Sequence, residues 1–390
     1  MLLSPRRKMN QPLPQKKHGK LNKIASILSQ LRLPLAVKII YIISALCIPL
    51  SIIFMLSQSF SDFFNRNIST ILRGTLAYVT SWIPFSLAEF LLLMIPVLVF
   101  VITKLVLKKF GESTAELVSA MISVLSILAF IFSAFTIGFS PAYRGTTLDK
   151  KLGIKAEEVS AEQLYDTALV LIEKINDSVD EIYYAENGFS VMPYGYEEMN
   201  VKLLDAFDSI SDKHAFMPRL DSRIKPVMLS EAMSYTHITG VYTFFTGEAN
   251  LNVDFPDYTL PFTAAHELSH QRGIARENEA NFMAFLVCAE SDDSYIRYCA
   301  YLNLYEYVAN ALYHANSELY MKAWAKLPIC VKDELSAYSS FIDKYRDSTV
   351  SEISNAVNDT FLKFQGTEGT RSYGMVVDLA VAYFAPKQEN

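Results

Sequence analysis

The 390-residue sequence predicts an α-helical membrane anchor of three transmembrane helices followed by a mainly α, α+β domain outside the membrane. Three observations carry this expectation. Long apolar runs are confined to the first 140 residues, in a chain that is 51% hydrophobic and only 19% charged. The basic residues flanking those runs give one consistent orientation. After them the pattern changes to amphipathic helical spacing, interrupted by one stretch rich in β-branched and aromatic residues.

The runs are IIYIISALCIPLSIIFML (about 39–56), FSLAEFLLLMIPVLVFVIT (about 85–103) and LVSAMISVLSILAFIFSAFTIGF (about 117–139). Each comes close to the roughly 20 residues a bilayer-crossing helix needs. Pro49 and Pro96 fall inside runs, which membrane helices tolerate better than soluble ones. Glu89 lies near one end of the second run, where it can reach the interface or a partner helix. Residues 1–38 precede the first run and MLSQSF after it is a poor cleavage site, so the run reads as a retained helix and not a signal peptide.

Orientation follows from lysine and arginine. Residues 1–38 hold nine of them and no acid, the loop 57–84 holds only Arg66 and Arg73, and the short loop after the second run holds Lys104, Lys108 and Lys109. Residues 1–38 are therefore expected as a basic cytoplasmic arm beside the lipid bilayer, 39–139 as the anchor, and 140–390 as the outer domain. Residues 140–390 carry 21 Lys and Arg against 37 Asp and Glu, which argues against a nucleic-acid partner. Three cysteines lie in this part; their spacing fits no metal ribbon, and it allows either a Cys288–Cys299 disulfide or buried thiols.

Within the outer domain, SPAYRGTTLDKKLG (140–153) reads as a linker. Ser160 and Gln163 suit a capping box, and Leu164, Ala168, Leu171 and Ile175 form one helical face. A second helix fits YEEMNVKLLDAFDSISDK. From Lys225 the chain reads as short strands or hairpins, Pro261 opens another helix, and helices dominate from Asn281 to about residue 360.

The helix after Pro261 contains HELSHQRGIARENEAN, residues 266–281. His266 and His270, four apart, share one helix face and can present both imidazoles to one metal ion. Glu267 lies about 100° around the helix, near enough to reach a water on that ion without binding it. This suits a hydrolase in which two neutral histidines hold Zn²⁺ and the glutamate takes a proton from the attacking water. Gly273 is a suitable helix stop, after which the chain can reverse and start a second helix near Arg276. Glu277 then falls in the first turn facing the histidines. Glu279 projects roughly 200° away, so both cannot serve, and the geometry favours Glu277. Asn281, one turn further, could hydrogen-bond a ligand from behind.

The segment ENEANFMA (277–284) resembles the E-x-x-A-D/N signature of gluzincin metallopeptidases, which implies Glu277 as the third zinc ligand and a zincin-like domain. The wider block THITGVYTFFTGEANLNVDFPDYTLPFTAAHELSHQRGIARENEANFMAFL is similar to a family of multi-pass bacterial membrane proteins catalogued as a domain of unknown function. That resemblance runs from the first apolar run to SYGMVVDLAVAYF and implies a bacterial cell-membrane location. One departure stands out: the short gap from His270 to Glu277 resembles metzincin spacing, whose third histidine would fall on Arg276.

The expected function is a membrane-anchored zinc metallopeptidase, with one Zn²⁺ per chain, acting on peptide or protein substrates outside the cytoplasm. GVYTFF (240–245) is the best candidate for an edge strand that pairs with the substrate backbone. Tyr373, His314 and Arg371 are the candidates for oxyanion stabilisation. His237 and His214 are not expected to bind metal. The rival expectation is a zinc-binding sensor or scaffold without turnover. Asp254, Asp257, Arg272 and Arg276 around the motif argue against an intramembrane protease, and three spans leave little room for a transport path.

Overall fold

The computed structural model describes residues 26–385 apart from 28, 111–112, 156–158, 347–348, 366 and 368–374. Residues 1–25 of the basic arm lie outside the described residues. The chain is mostly helical with one small sheet. It divides into two compact units: residues up to Leu46 with Met94–Ser133, and Cys47–Leu93 with Ala134 onward.

The apolar N-terminal part forms α1 (Leu35–Leu56), α2 (Gln58–Phe64), a π-helical turn (Asn65–Ser69), α3 (Thr70–Ser81), α4 (Leu87–Leu93), α5 (Ile95–Phe110) and α6 (Thr114–Gly138). Two of these, α1 and α6, are long and apolar enough to cross a membrane, and they correspond to the first and third predicted spans. The second predicted span is broken: α4 and α5 are bent by 50°, and a third crossing exists only if the pair counts as one. Pro96, second residue of α5, has no N–H for the Leu92 carbonyl and its ring crowds that turn. Pro49 by contrast sits inside an unbroken α1. In the first unit, the Tyr41 hydroxyl donates to the Ile122 carbonyl (2.9 Å) and the Arg32 N–H to Ser119 Oγ (3.2 Å).

The second unit departs from the predicted boundary at residue 140, because the loop 57–84 is helical and belongs to it. The predicted linker is also packed, as α7 (Ser140–Arg144) and α8 (Leu148–Leu152), with Thr146 N–H on Asp62 Oδ1 (2.9 Å) and Leu148 N–H on Glu279 Oε1 (3.1 Å). Next come α9 (Ala161–Val179) and α10 (Tyr196–Lys213). Both start where the sequence predicts, α9 with the Ser160–Gln163 capping box in place and Leu164, Ala168, Leu171 and Ile175 buried.

The strand-rich stretch becomes β1 (Ile224–Pro226), α11 (Ser230–Ser234), β2 (Gly240–Thr243) and β3 (Glu248–Leu251). The sheet order is β1-β3-β2, with β1 parallel and β2 antiparallel to β3, so β2 forms an edge. Glu248 at the start of β3 accepts from the N–H groups of Leu87 (3.0 Å) and Ala88 (2.8 Å), neutralising the first turn of α4, and pairs with the buried Lys225 at 2.5 Å. Glu89 is likewise engaged, accepting from the Met228 and Leu229 N–H groups at 2.9 and 2.8 Å.

The remaining helices are α12 (Leu260–Gln271), α13 (Glu277–Glu290), α14 (Ser294–Ala315), α15 (Ser317–Trp324), α16 (Ile329–Asp343), α17 (Thr349–Phe364) and α18 (Val376–Phe384). The core gathers α9, α10, α12, α13, α14 and α18, and every residue of α12 is buried. None of the four cysteines is in a disulfide, and the Cys288 thiol donates to the Pro261 carbonyl, which corrects the disulfide option.

Beneath α12 lies Arg73 of α3, 1% exposed. Its Nε donates to the Gln271 carbonyl (2.9 Å), Nη1 to the Gly138 carbonyl (2.7 Å) and Nη2 to Thr70 Oγ1 (3.0 Å). One planar guanidinium thus joins the last turns of α6 and α12, which a lysine's single ammonium could not do in the same way. Asn65 Nδ2 donates to the Gly273 carbonyl (3.2 Å) on the same side.

Candidate metal centre

Four residues on α12 and α13 converge because the helix stop between them works as expected. Gly273 adopts φ +91°, and its N–H returns to the His270 carbonyl (3.0 Å). Ile274 N–H bonds the Ser269 carbonyl (3.1 Å), and Arg276 in extended conformation starts α13. The turn also brings the Ile274 carbonyl to 2.7 Å from His270 Nδ1. A carbonyl only accepts, so that contact fixes a proton on Nδ1 and leaves Nε2 as the ring atom that faces Glu277.

His266 and His270 stand with ring centroids 4.6 Å apart and planes at 90°. Glu277 Oε2 lies 3.2 Å from His266 Nε2 and 3.5 Å from His270 Nε2, and one donor atom from each residue falls within 4.8 Å of the others. Bonds of about 2.0–2.1 Å in a tetrahedral arrangement require ligand atoms about 3.3 Å apart. Glu277 stands close to that separation from both imidazoles and the three donor atoms keep within 4.8 Å, so two buried imidazoles and a carboxylate suit an ion of this size.

The electrostatics match this grouping. Burial alone would raise the Glu277 carboxyl, yet the charge and hydrogen bonds of His270 and His266 hold it well below the ordinary carboxylate range. Burial opposes a charge on His270, but Glu277 and then Glu267 outweigh it and push the imidazole up to about 9. Burial raises the Glu267 carboxyl, with the two histidines pulling it back in part.

Glu267 stands beside the edge strand. A Cβ on Gly240 would come within 2.7 Å of Glu267 Cγ and 2.8 Å of its Oε1, so β2 can approach the carboxylate only through a glycine. The Tyr242 backbone N–H also faces that carboxylate. Glu279 is turned away, bonded to Leu148 N–H and to Arg276 Nη1 (2.9 Å). Arg276 itself donates to the Tyr143 (2.8 Å) and Gly145 (3.1 Å) carbonyls.

The cluster lies in a cavity of about 990 Å³. β2 contributes Gly240, Val241 and Tyr242 to its wall, and His237 lies at the same wall with Nε2 on the Tyr345 carbonyl (2.9 Å). Asn281 faces the cavity beside Tyr307, and it is the Ile274 carbonyl, not Asn281, that braces His270. His314 is exposed and packs against Tyr313, and His214 lies beside Phe216. Tyr373 and Arg371 lie outside the described residues.

Sequence reading passed over Asn303, Glu306, Tyr307 and Asn310 of α14, which all line the cavity. Their signal was a polar stripe at i, i+3, i+4 and i+7 on an otherwise apolar helix. Burial keeps the Tyr307 hydroxyl protonated, near Glu277 and Asn281. Glu306 accepts from the Tyr258 hydroxyl (2.7 Å); burial, with Glu334 nearby, pushes its carboxyl up from 4.5 to about 7.

The folded state thus binds the Glu306 proton more tightly than the unfolded chain. Its contribution to stability is whole below pH 4.5 and is lost as pH rises through about 7. Glu306→Gln is expected to match the parent in acid and to exceed it by about 1–3 kcal/mol near pH 8. Thermal unfolding across that range measures it. A difference that does not change with pH would mean Glu306 titrates alike in the folded and unfolded chain.

A family model described as Protein of unknown function (DUF3810) matches residues 60–381. No curated protein and no solved structure matches the chain.

Proposed function

Since the chain belongs to the DUF3810 family of proteins of unknown function, its activity has to be read from its site, and we propose a membrane-anchored zinc metallopeptidase that hydrolyses peptide bonds of envelope or secreted substrates. The observation that carries this reading is the convergence of His266 Nε2, His270 Nε2 and Glu277 Oε2 within 4.8 Å. A further carboxylate, Glu267, stands beside them on the same cavity wall as an edge strand. We read the α12–turn–α13 unit with β2 as a zincin-type arrangement, which the helix reversal at Gly273 supports.

His266, His270 and Glu277 would hold the ion. Bound zinc supplies Lewis acidity and an acidified water. Glu267 takes the proton of the attacking water and delivers it to the leaving amine, roles that suit a buried carboxyl with a raised pKa. The free edge of β2 pairs with the extended substrate backbone. The protonated Tyr307 hydroxyl donates to the carbonyl oxygen as negative charge develops on it. In this reading the chain crosses three times, with the bent α4–α5 pair as the second crossing, and residues 1–38 lie in the cytoplasm with the site outside it, an orientation that the lysine and arginine distribution supports.

The test is metal content of the full-length protein in detergent, by mass spectrometry. The parent and Glu279→Ala are expected to hold about one zinc per chain, and Glu277→Ala essentially none. Zinc retained by Glu277→Ala, or no uptake by the parent, would remove the site. A broad screen of peptides and denatured proteins then separates a peptidase from a scaffold, which stays silent with zinc fully loaded.

A further inference from the structure

The candidate centre is fastened to the end of an apolar, membrane-length helix. Gly138 is the last residue of α6, and Arg73 binds its carbonyl and that of Gln271, one residue past His270, at the same time. Phe139, the next residue, packs edge-on against the His270 ring at 6.0 Å and at a tilt against Tyr242 at 5.3 Å. Headgroups occupy roughly 5–8 Å on each side of the hydrocarbon. A helix that leaves the hydrocarbon near Gly138 therefore sets the cavity at headgroup level.

An aromatic wall continues from the helix into the cavity. Phe135, in the last turn of α6, packs edge-on against Phe244 (5.3 Å) and Phe361 (5.8 Å), and Tyr143 meets Phe361 at 6.5 Å. Phe139, Tyr143, Phe244 and Phe361 all line the cavity. Near the start of α4, Trp82 (76% exposed) and Met228 (79% exposed) present apolar surface to the outside, and Glu89 of α4 clasps the 228–229 backbone. Exposed tryptophan beside the start of an apolar helix is the mark of a membrane interface.

We propose that the cleft takes a polypeptide anchored in the same bilayer. The substrate's apolar flank lies on the Phe135–Phe244–Phe361 wall, and its first residues outside the membrane run along β2 past the metal centre. An extended chain advances about 3.3 Å per residue, so the cut falls within about five residues of the substrate's membrane segment. This rests on the peptidase reading and narrows its substrate class.

The test uses full-length Glu267→Gln in vesicles of phosphatidylcholine and phosphatidylglycerol, so that binding is read without turnover. With Trp82→Phe and Trp324→Phe as background, Phe361→Trp is expected to be quenched by lipids brominated near the headgroup. Leucine-rich transmembrane peptides with randomised polar tails carry a benzophenone either next to the span or far along the tail. Adducts from the near position are expected to exceed those from the far position by about tenfold, and Phe244→Glu with Phe361→Glu to abolish the difference. Absence of quenching, or equal labelling by near, far and span-free tails, would overturn the proposal. Zinc bound without quenching removes this inference alone; quenching and near-position adducts without zinc binding keep the membrane-anchored polypeptide as ligand and remove the cut together with the peptidase reading.

Discussion

Glu267→Gln is expected to lower peptide hydrolysis by about 10²–10⁴-fold while zinc content stays at that of the parent, because the step it removes is proton transfer and not metal binding. The three converging donor atoms belong to His266, His270 and Glu277, and Glu267 is none of them. Its carboxylate instead packs against Gly240 and faces the Tyr242 N–H. Glutamine keeps the shape and an acceptor for that N–H, but it cannot take a proton from water. The measurement pairs turnover with metal analysis on one preparation. Undiminished turnover would remove Glu267 as the base, and loss of zinc would make it part of the metal's support.

Gly273→Ala is expected to destabilise the second unit by about 3–8 kcal/mol, a large part of an ordinary domain's total stability. Two effects add. At φ +91° any L side chain is strained by about 1–2 kcal/mol. The new Cβ would also lie 2.3 Å from Arg73 Nη2 and 2.9 Å from Asn65 Oδ1. Moving the guanidinium leaves the buried Gln271 and Gly138 carbonyls without their donor, at about 1–3 kcal/mol for each unsatisfied group. Gly153→Ala separates the terms, since Gly153 has φ +68° with nothing among the described residues within 4 Å of an added Cβ. Thermal unfolding of the full-length protein should show a small loss for Gly153→Ala and a several-fold larger one for Gly273→Ala. Equal losses would leave only backbone strain and take Arg73 out of the account.

Arg73 has a structural role that its place in the sequence does not reveal. In the sequence it is one of two basic residues in the loop 57–84 and counts toward orientation. In the fold it is buried under α12, while Arg66 stays exposed. A fragment starting at residue 140 would lack it, along with the whole of α3, and would leave the end of the histidine helix uncovered. The bent second span has a local cause, Pro96, whose effect depends on whether neighbours restore the lost hydrogen bond; in α1 the helix continues through Pro49.

By itself the sequence determined what local rules govern. The helical pitch set His266 beside His270, the glycine ended their helix, and the reversal pointed Glu277 inward and Glu279 outward, all within one short segment. The capping box at Ser160 and the apolar face of α9 were legible for the same reason. Tertiary structure alone decided the rest: Arg73 against Gln271, 198 residues away; Gly240 against Glu267; Tyr307 and Glu306 turned into the cavity; and the aromatic wall joining Phe135, Phe244 and Phe361. Periodicity along one segment carries no record of which distant segment will pack on it, because such contacts are selected by the burial and hydrogen-bond demands of the whole fold.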